Sequence, residues 1–201
     1  GHAAANNLTG ALGVSVIGYH AGKYVTTGDY STALGYNALG GNVTTNLTGN
    51  DNTAIGANAG RDIQGAAEGN VLLGKDSGIS MTTGNFNVLI GRDAGDALVD
   101  ETHNTAIGTD ALGGSSLVDQ TVVVGSQAGM GAMTAAADGT VLVGYGAGAA
   151  LTTGTEALAI GYNAGAALTT GNQNMAIGYN ALAQHVDGGS NMAIGTGAMG
   201  Q

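Results

Sequence analysis

Two apolar residues followed by glycine recur eleven times along this chain, ending at Gly18, Gly35, Gly56, Gly74, Gly91, Gly108, Gly125, Gly144, Gly161, Gly178 and Gly195. Seven of the ten gaps between these glycines are 17 residues, and the other three are 21, 18 and 19. A fixed short period predicts one small unit stacked on copies of itself. Seventeen residues are too few for a strand plus a proper helix, and no apolar i, i+3, i+4, i+7 pattern persists. The expected fold is therefore all-β, a parallel β-solenoid of about eleven 17-residue rungs over residues 13–201, with 1–12 as an N-terminal extension or cap. At a strand spacing of ~4.8 Å, eleven rungs would extend roughly 50 Å.

Within each rung, phrases such as TAIG, VLIG and MAIG have the β-branched content and flanking turn formers of a short strand. Neighbouring strand residues point to opposite faces, yet both columns are apolar, as in a strand buried on both sides. One face fills its own coil, and the other needs a second apolar surface. The small alanines suit close approach, so Ala106, Ala159, Ala176 and Ala193 are assigned to packing between chains. Ile55, Ile90, Ile107, Ile160, Ile177 and Ile194 are assigned to the core.

A second element, read as VTTG, MTTG or LTTG about ten residues past the glycine, predicts another short strand and a turn. Asn52, Asn70, Asn87, Asn104, Asn174 and Asn191 each lie four residues before a repeat glycine. They suit a left-handed turn and can bond to one another from rung to rung. The longer gaps are insertions at turns, the largest around residues 41–51. The C-terminal NMAIGTGAMGQ breaks off within a rung, which predicts a longer fibre or end-to-end stacking.

Composition narrows the alternatives. Glycine is 39 of 201 residues but proline is absent, which excludes collagen. With 43% hydrophobic and only 9% charged residues, the chain is not of a disordered class. A net charge of −10 opposes nucleic acid as a partner, and there is neither a basic amphipathic face nor an apolar run for direct membrane insertion. Cysteine is absent, so disulfides play no part.

The phrases NMAIGYNAL, LAIGYNAG, NTAIGANAG and STALGYNALG resemble the repeats of trimeric autotransporter adhesin heads and the Gly-rich repeat regions of phage tail fibres. The resemblance runs from about Val14 to Met199. It implies a homotrimer of parallel β-rolls, with the Ile column inside each coil and the preceding alanines towards the trimer axis. The repeat is longer than the familiar adhesin-head repeat, and its TTG–Asn element is nearer to the phage and secreted-fibre versions.

Candidate chemistry is sparse. Tyr145, Tyr162 and Tyr179 follow the repeat glycine in consecutive rungs, as Tyr19 and Tyr36 do earlier. Such a row either stacks on sugar rings of a surface glycan or host receptor, or stacks on itself to stabilise the turn edge. Asp76, Asp93 and Asp110 share a column with Asn37, Asn58, Asn163 and Asn180, which favours turn chemistry over Ca²⁺ binding. His2, His20, His103 and His185 show no metal-ligand spacing, and the Asp100-Glu101 pair is expected to be a solvated turn. No catalytic residue, cofactor site or metal site is assigned.

The expected role is a structural repeat segment of an elongated extracellular or virion fibre or adhesin that supports attachment to a surface. The alternative is a self-assembling extracellular filament with a mechanical role. An ice-binding solenoid would need a regular Thr ladder, and most rungs lack the TTG element.

Overall fold

The computed structural model describes residues 4, 7–41, 45–184 and 187–200. It is an all-β, parallel β-solenoid in which every repeat phrase forms a three-residue strand. The chain groups into two compact units, Gly1–His103 and Asn104–Gln201.

The first unit holds β1 (Ser15–Ile17), β2 (Thr32–Leu34), β3 (Thr53–Ile55), β4 (Val71–Leu73) and β5 (Val88–Ile90), each parallel to the next. The second holds β6 (Thr105–Ile107), β7 (Val122–Val124), β8 (Val141–Val143), β9 (Leu158–Ile160), β10 (Met175–Ile177) and β11 (Met192–Ile194), paired in the same way. The register is uniform, so each residue lies beside its own counterpart: Ala33 by Ala54, Ala176 by Ala193. The 21-residue rung does not disturb it, and Leu34 still pairs with Ile55. The 19-residue rung absorbs its extra length partly in a 3-10 turn at Ala135–Ala137.

The two apolar strand columns are exchanged relative to the sequence expectation. The central residue of each strand points into its own coil, and Ala106, Ala159, Ala176 and Ala193 are at most 2% exposed there. Ile107, Ile160 and Ile194 are 36%, 37% and 62% exposed, and Ile55, Ile90 and Ile177 are half-buried. They face outward. The reason is space: the coil also holds the small residue three past the repeat glycine, such as Ala59, Ser77, Ala94 and Ala164, and a large corner residue such as Ile63, Met81, Leu98, Leu151 or Leu168. In a lumen so filled, alanine fits in many rungs. Where leucine replaces it, glycine opposite makes room: a Cβ at Gly95 would meet Leu89 Cδ1 at 2.9 Å.

The repeat glycine is required twice over. Its φ is between +123° and +141°, a region that disfavours side chains. Its α-carbon also lies against the next rung, where a Cβ at Gly161 would stand 2.5 Å from Gly178 O. Two residues later the backbone is left-handed again, at Asn58, Asp76, Asp93, Asp110 and Asn163 among others, with φ of 51–57°.

The expected second strand does not form. The TTG segments are bends, and isolated bridges such as Val25–Leu47 and Leu47–Gly65 occur outside the strands. Lateral bonding persists in a different form: the amides of Thr152 and Thr153 both donate to Thr169 O, at 3.0 and 3.1 Å. Two donors converging on one carbonyl make a corner instead of a ladder.

The asparagine column is not the left-handed one; the residue before it is, as at Asp51, Phe86 and Gln173. Asn52, Asn70, Asn87, Asn104 and Asn174 are instead buried, and the expected bonding between rungs is present. Asn70 donates from its backbone N–H and from Nδ2 to Asn52 Oδ1, at 3.2 and 3.0 Å, and also from Nδ2 to the corner carbonyl Gly84 O at 2.9 Å. Asn87 repeats the pattern on Asn70 Oδ1 and Glu101 O. Each amide thereby satisfies backbone groups that the narrow coil buries away from water.

The two penalties at the repeat glycine are separable. Gly195 has nothing within 4 Å of a would-be Cβ, so Gly195→Ala meets only an unfavourable φ, whereas Gly161→Ala adds a clash with Gly178 O. Thermal unfolding of the two variants is expected to show G161A as the less stable, by roughly 1–3 kcal/mol.

Candidate interaction surface

The outward face of the strands is an exposed apolar surface. In the first unit Ile17, Leu34 and Leu73 are 68%, 41% and 41% exposed, beside Val71 at 37%. In the second unit Ile107, Val122, Ile160, Met192 and Ile194 carry the same character. The column two residues before each isoleucine holds Ser15, Thr32, Thr53 and Thr105 early in their units, and valine, leucine or methionine elsewhere. This is a parallel sheet with one face sealed and the other bare, whereas parallel sheets ordinarily have both faces covered. Contiguous apolar surface of this kind marks an interaction site.

The tyrosines form a row in the second unit. Tyr145 and Tyr162 stack with centroids 5.2 Å apart at 13°, and Tyr162 and Tyr179 at 5.3 Å and 11°. Tyr19 and Tyr36 do the same in the first unit at 5.7 Å. The spacing follows from the strand repeat of ~4.8 Å, which sets successive rings at stacking distance. Tyr162 therefore has both ring faces against other tyrosines. What the row offers to solvent is ring edges and hydroxyls, and Tyr145 donates its hydroxyl to Gln127 Oε1 at 2.7 Å. Sugar-face stacking along the interior of the row is thus closed by the rings themselves.

The aspartate column is tied into local pairs. Lys75 bridges Asp76, and Arg92 bridges Asp93 at 3.0 Å. Burial pushes the Asp76 carboxyl up, but hydrogen bonds from Lys75 and Asn58, and the nearby positive charge, outweigh it and hold the group below the usual carboxylate range. Asp110 has the same left-handed backbone. Among the described residues no group of three or more His, Asp or Glu side chains could hold a metal ion. His20 stacks on Tyr19 at 4.0 Å and His103 lies against Phe86 at 5.3 Å. His2 and His185 lie outside the described residues.

The acid pair divides. Asp100 is exposed as expected, but Glu101 is 4% exposed and not a solvated turn residue. Glu101 occupies the column that holds Gly28, Gly49, Gly84, Gly154 and Gly171 in other rungs, and its carbonyl is held by Asn87. Its side chain folds back so that Oε2 accepts the amides of Val99 and Asp100, at 2.5 and 3.0 Å, while Oε1 is buried without a partner. Desolvation, despite these amide hydrogen bonds, pushes its carboxyl above the usual range. Periodicity could have flagged it as a charged residue in a glycine column.

No family model, curated protein or solved structure matches this chain. Among the described residues no helix is long and apolar enough to cross a membrane.

Because the folded-state pKa of Glu101 is raised, the unfolded chain loses this proton first, and stability from this group falls as pH rises through the unfolded and then the folded value. The acid form is favoured in the fold, so the stabilisation from this group is fully present below the ordinary glutamate value of 4.5 and is lost as pH rises through the raised folded value. Glu101→Gln is therefore expected to raise the melting temperature at pH 7 and to have little effect at pH 4, as followed by circular dichroism.

Proposed function

We propose that this chain is a structural repeat segment of an elongated extracellular or virion fibre, assembled from copies of itself through the outward isoleucine face. The observation that carries this reading is the bare apolar face on a parallel solenoid. It is a continuous strip of Ile, Leu, Val and Met in each unit, with no covering element of its own among the described residues. A second copy is the partner of matching period, since its rungs recur at the same spacing as those it would meet. A homotrimer closes such a face around an axis and leaves no copy exposed.

The surface chemistry supports a scaffold over a catalyst. Among the described residues no group of three or more His, Asp or Glu side chains could hold a metal ion, and the charges of Lys75–Asp76 and Arg92–Asp93 neutralise one another. Attachment to a host receptor or surface glycan would use side chains on the corners, which the rungs present in repeating rows.

The sequence resemblance implies the alanine column at the axis; in this proposal the isoleucines take that place, which their outward exposure supports. Light scattering on the purified chain is expected to give a discrete mass of three protomers. Ile160→Asp is expected to lower that mass to a monomer while circular dichroism still reports β-structure. A monomeric mass for the unmutated chain overturns the proposal, and open-ended polymers in electron micrographs would favour the mechanical filament instead.

A further inference from the structure

Four lysines and arginines serve the whole chain, and three of them follow one rule: the next residue is an aspartate that neutralises them. Arg61 bonds Asp62 through Nε and Nη2 at 2.8 and 2.6 Å, Lys75 bridges Asp76, and Arg92 bridges Asp93. Lys23 breaks the rule. It is followed by Tyr24, makes no ion pair among the described residues, and rests its ammonium 4.9 Å from the Tyr24 ring centroid. In a chain of net charge −10, an uncompensated cation on a half-buried side chain is an exception that structure alone does not require.

Lys23 lines a cleft of about 160 Å³ with His20, Tyr24, Asn37, Arg61 and Asp62, and the backbone of Gly40 and Gly41. These residues come from three successive rungs, and Gly40 and Gly41 stand in the middle rung in the columns that hold Lys23-Tyr24 before it and Arg61-Asp62 after it. Gly41 has φ +68°, and a Cβ there would lie 2.5 Å from Tyr24 Cβ, so the cleft wall depends on a bare backbone at this point. The cleft is rich in donors: the Lys23 ammonium, the His20 imidazole, the Arg61 Nη1 that Asp62 does not use, and the second hydrogen of the Asn37 amide, whose Nδ2 also donates to Asn58 Oδ1 at 3.3 Å. Asp62 is the sole carboxylate lining it, and the hydrogen bond and charge of Asp62 hold the Arg61 guanidinium above its ordinary pKa.

We propose that this cleft binds a small carboxylate-bearing sugar, of the uronic acid class. Lys23 supplies the one uncompensated positive charge, which fits a monoanion. Asp62 would repel a dianion such as phosphate but accepts hydrogen bonds from sugar hydroxyls, while Asn37 both donates and accepts. The volume is below the ~300–1,000 Å³ of sites for drug-sized ligands, which limits the occupant to about one ring. The site is separate from the tyrosine row of the second unit and does not depend on the chain being a fibre segment.

The test is saturation-transfer NMR on the full-length chain with D-glucuronate, D-glucose, acetate and inorganic phosphate in turn. Saturable binding of glucuronate is expected, with glucose and acetate each much weaker. Lys23→Gln is expected to weaken glucuronate by ~tenfold or more, the loss of one charge-assisted contact. Lys75→Gln, which removes an exposed lysine paired elsewhere, is expected to leave binding unchanged. Circular dichroism on both variants separates loss of the site from loss of the fold. The proposal is overturned if glucuronate does not bind, if acetate or phosphate binds as well, or if folded K23Q binds as tightly as the unmutated chain.

Discussion

Within each unit, one backbone contact sets the spacing on which the rest depends: the repeat glycine of one rung lies directly against the carbonyl of the next. No side chain fits between them, and the positive φ there would disfavour one in any case. The strand enters this point and the left-handed turn leaves it, so the direction of both is fixed by the same residue. The uniform register, the stacking distance of the tyrosines and the reach of the asparagine amides all follow from that approach.

Much of the architecture was legible because it is periodic. Rung number, strand position, the bonding between asparagines and the turn role of the Asn/Asp column could be read from spacing and residue type. The inside and outside of the strand were not, because both columns are apolar and period two alone does not say which is wet. A signal was present: Thr32, Thr53 and Thr105 lie two residues before Leu34, Ile55 and Ile107, and residues two apart share a face. The polar early residues mark the outward side and carry the isoleucines with them. The cleft was illegible for a different reason: its lining keeps the columns two, five and six past the repeat glycine, and a gap arises only where Gly40 and Gly41 stand without side chains between Lys23-Tyr24 and Arg61-Asp62.

In-register repetition also explains the low charge content. A charge placed in one rung recurs beside itself about 5 Å away if the repeat is kept, and like charges at that distance repel. The chain avoids this by filling its columns with neutral residues and by setting each aspartate of the Lys75-Asp76 and Arg92-Asp93 pairs beside its own cation. The charges are cancelled along the chain instead of across rungs.

The rung of 21 residues shows where this fold tolerates change. Four residues beyond the usual 17 are accommodated between Gly35 and Gly56, yet Leu34 still lies beside Ile55 and Asn52 still takes its place in the buried amide column. Length is thus free at the corner and forbidden at the strand. A lineage of such chains can lengthen, shorten or decorate its corners one rung at a time without renegotiating the stack, so new recognition surfaces can arise by insertion while the frame that carries them stays the same.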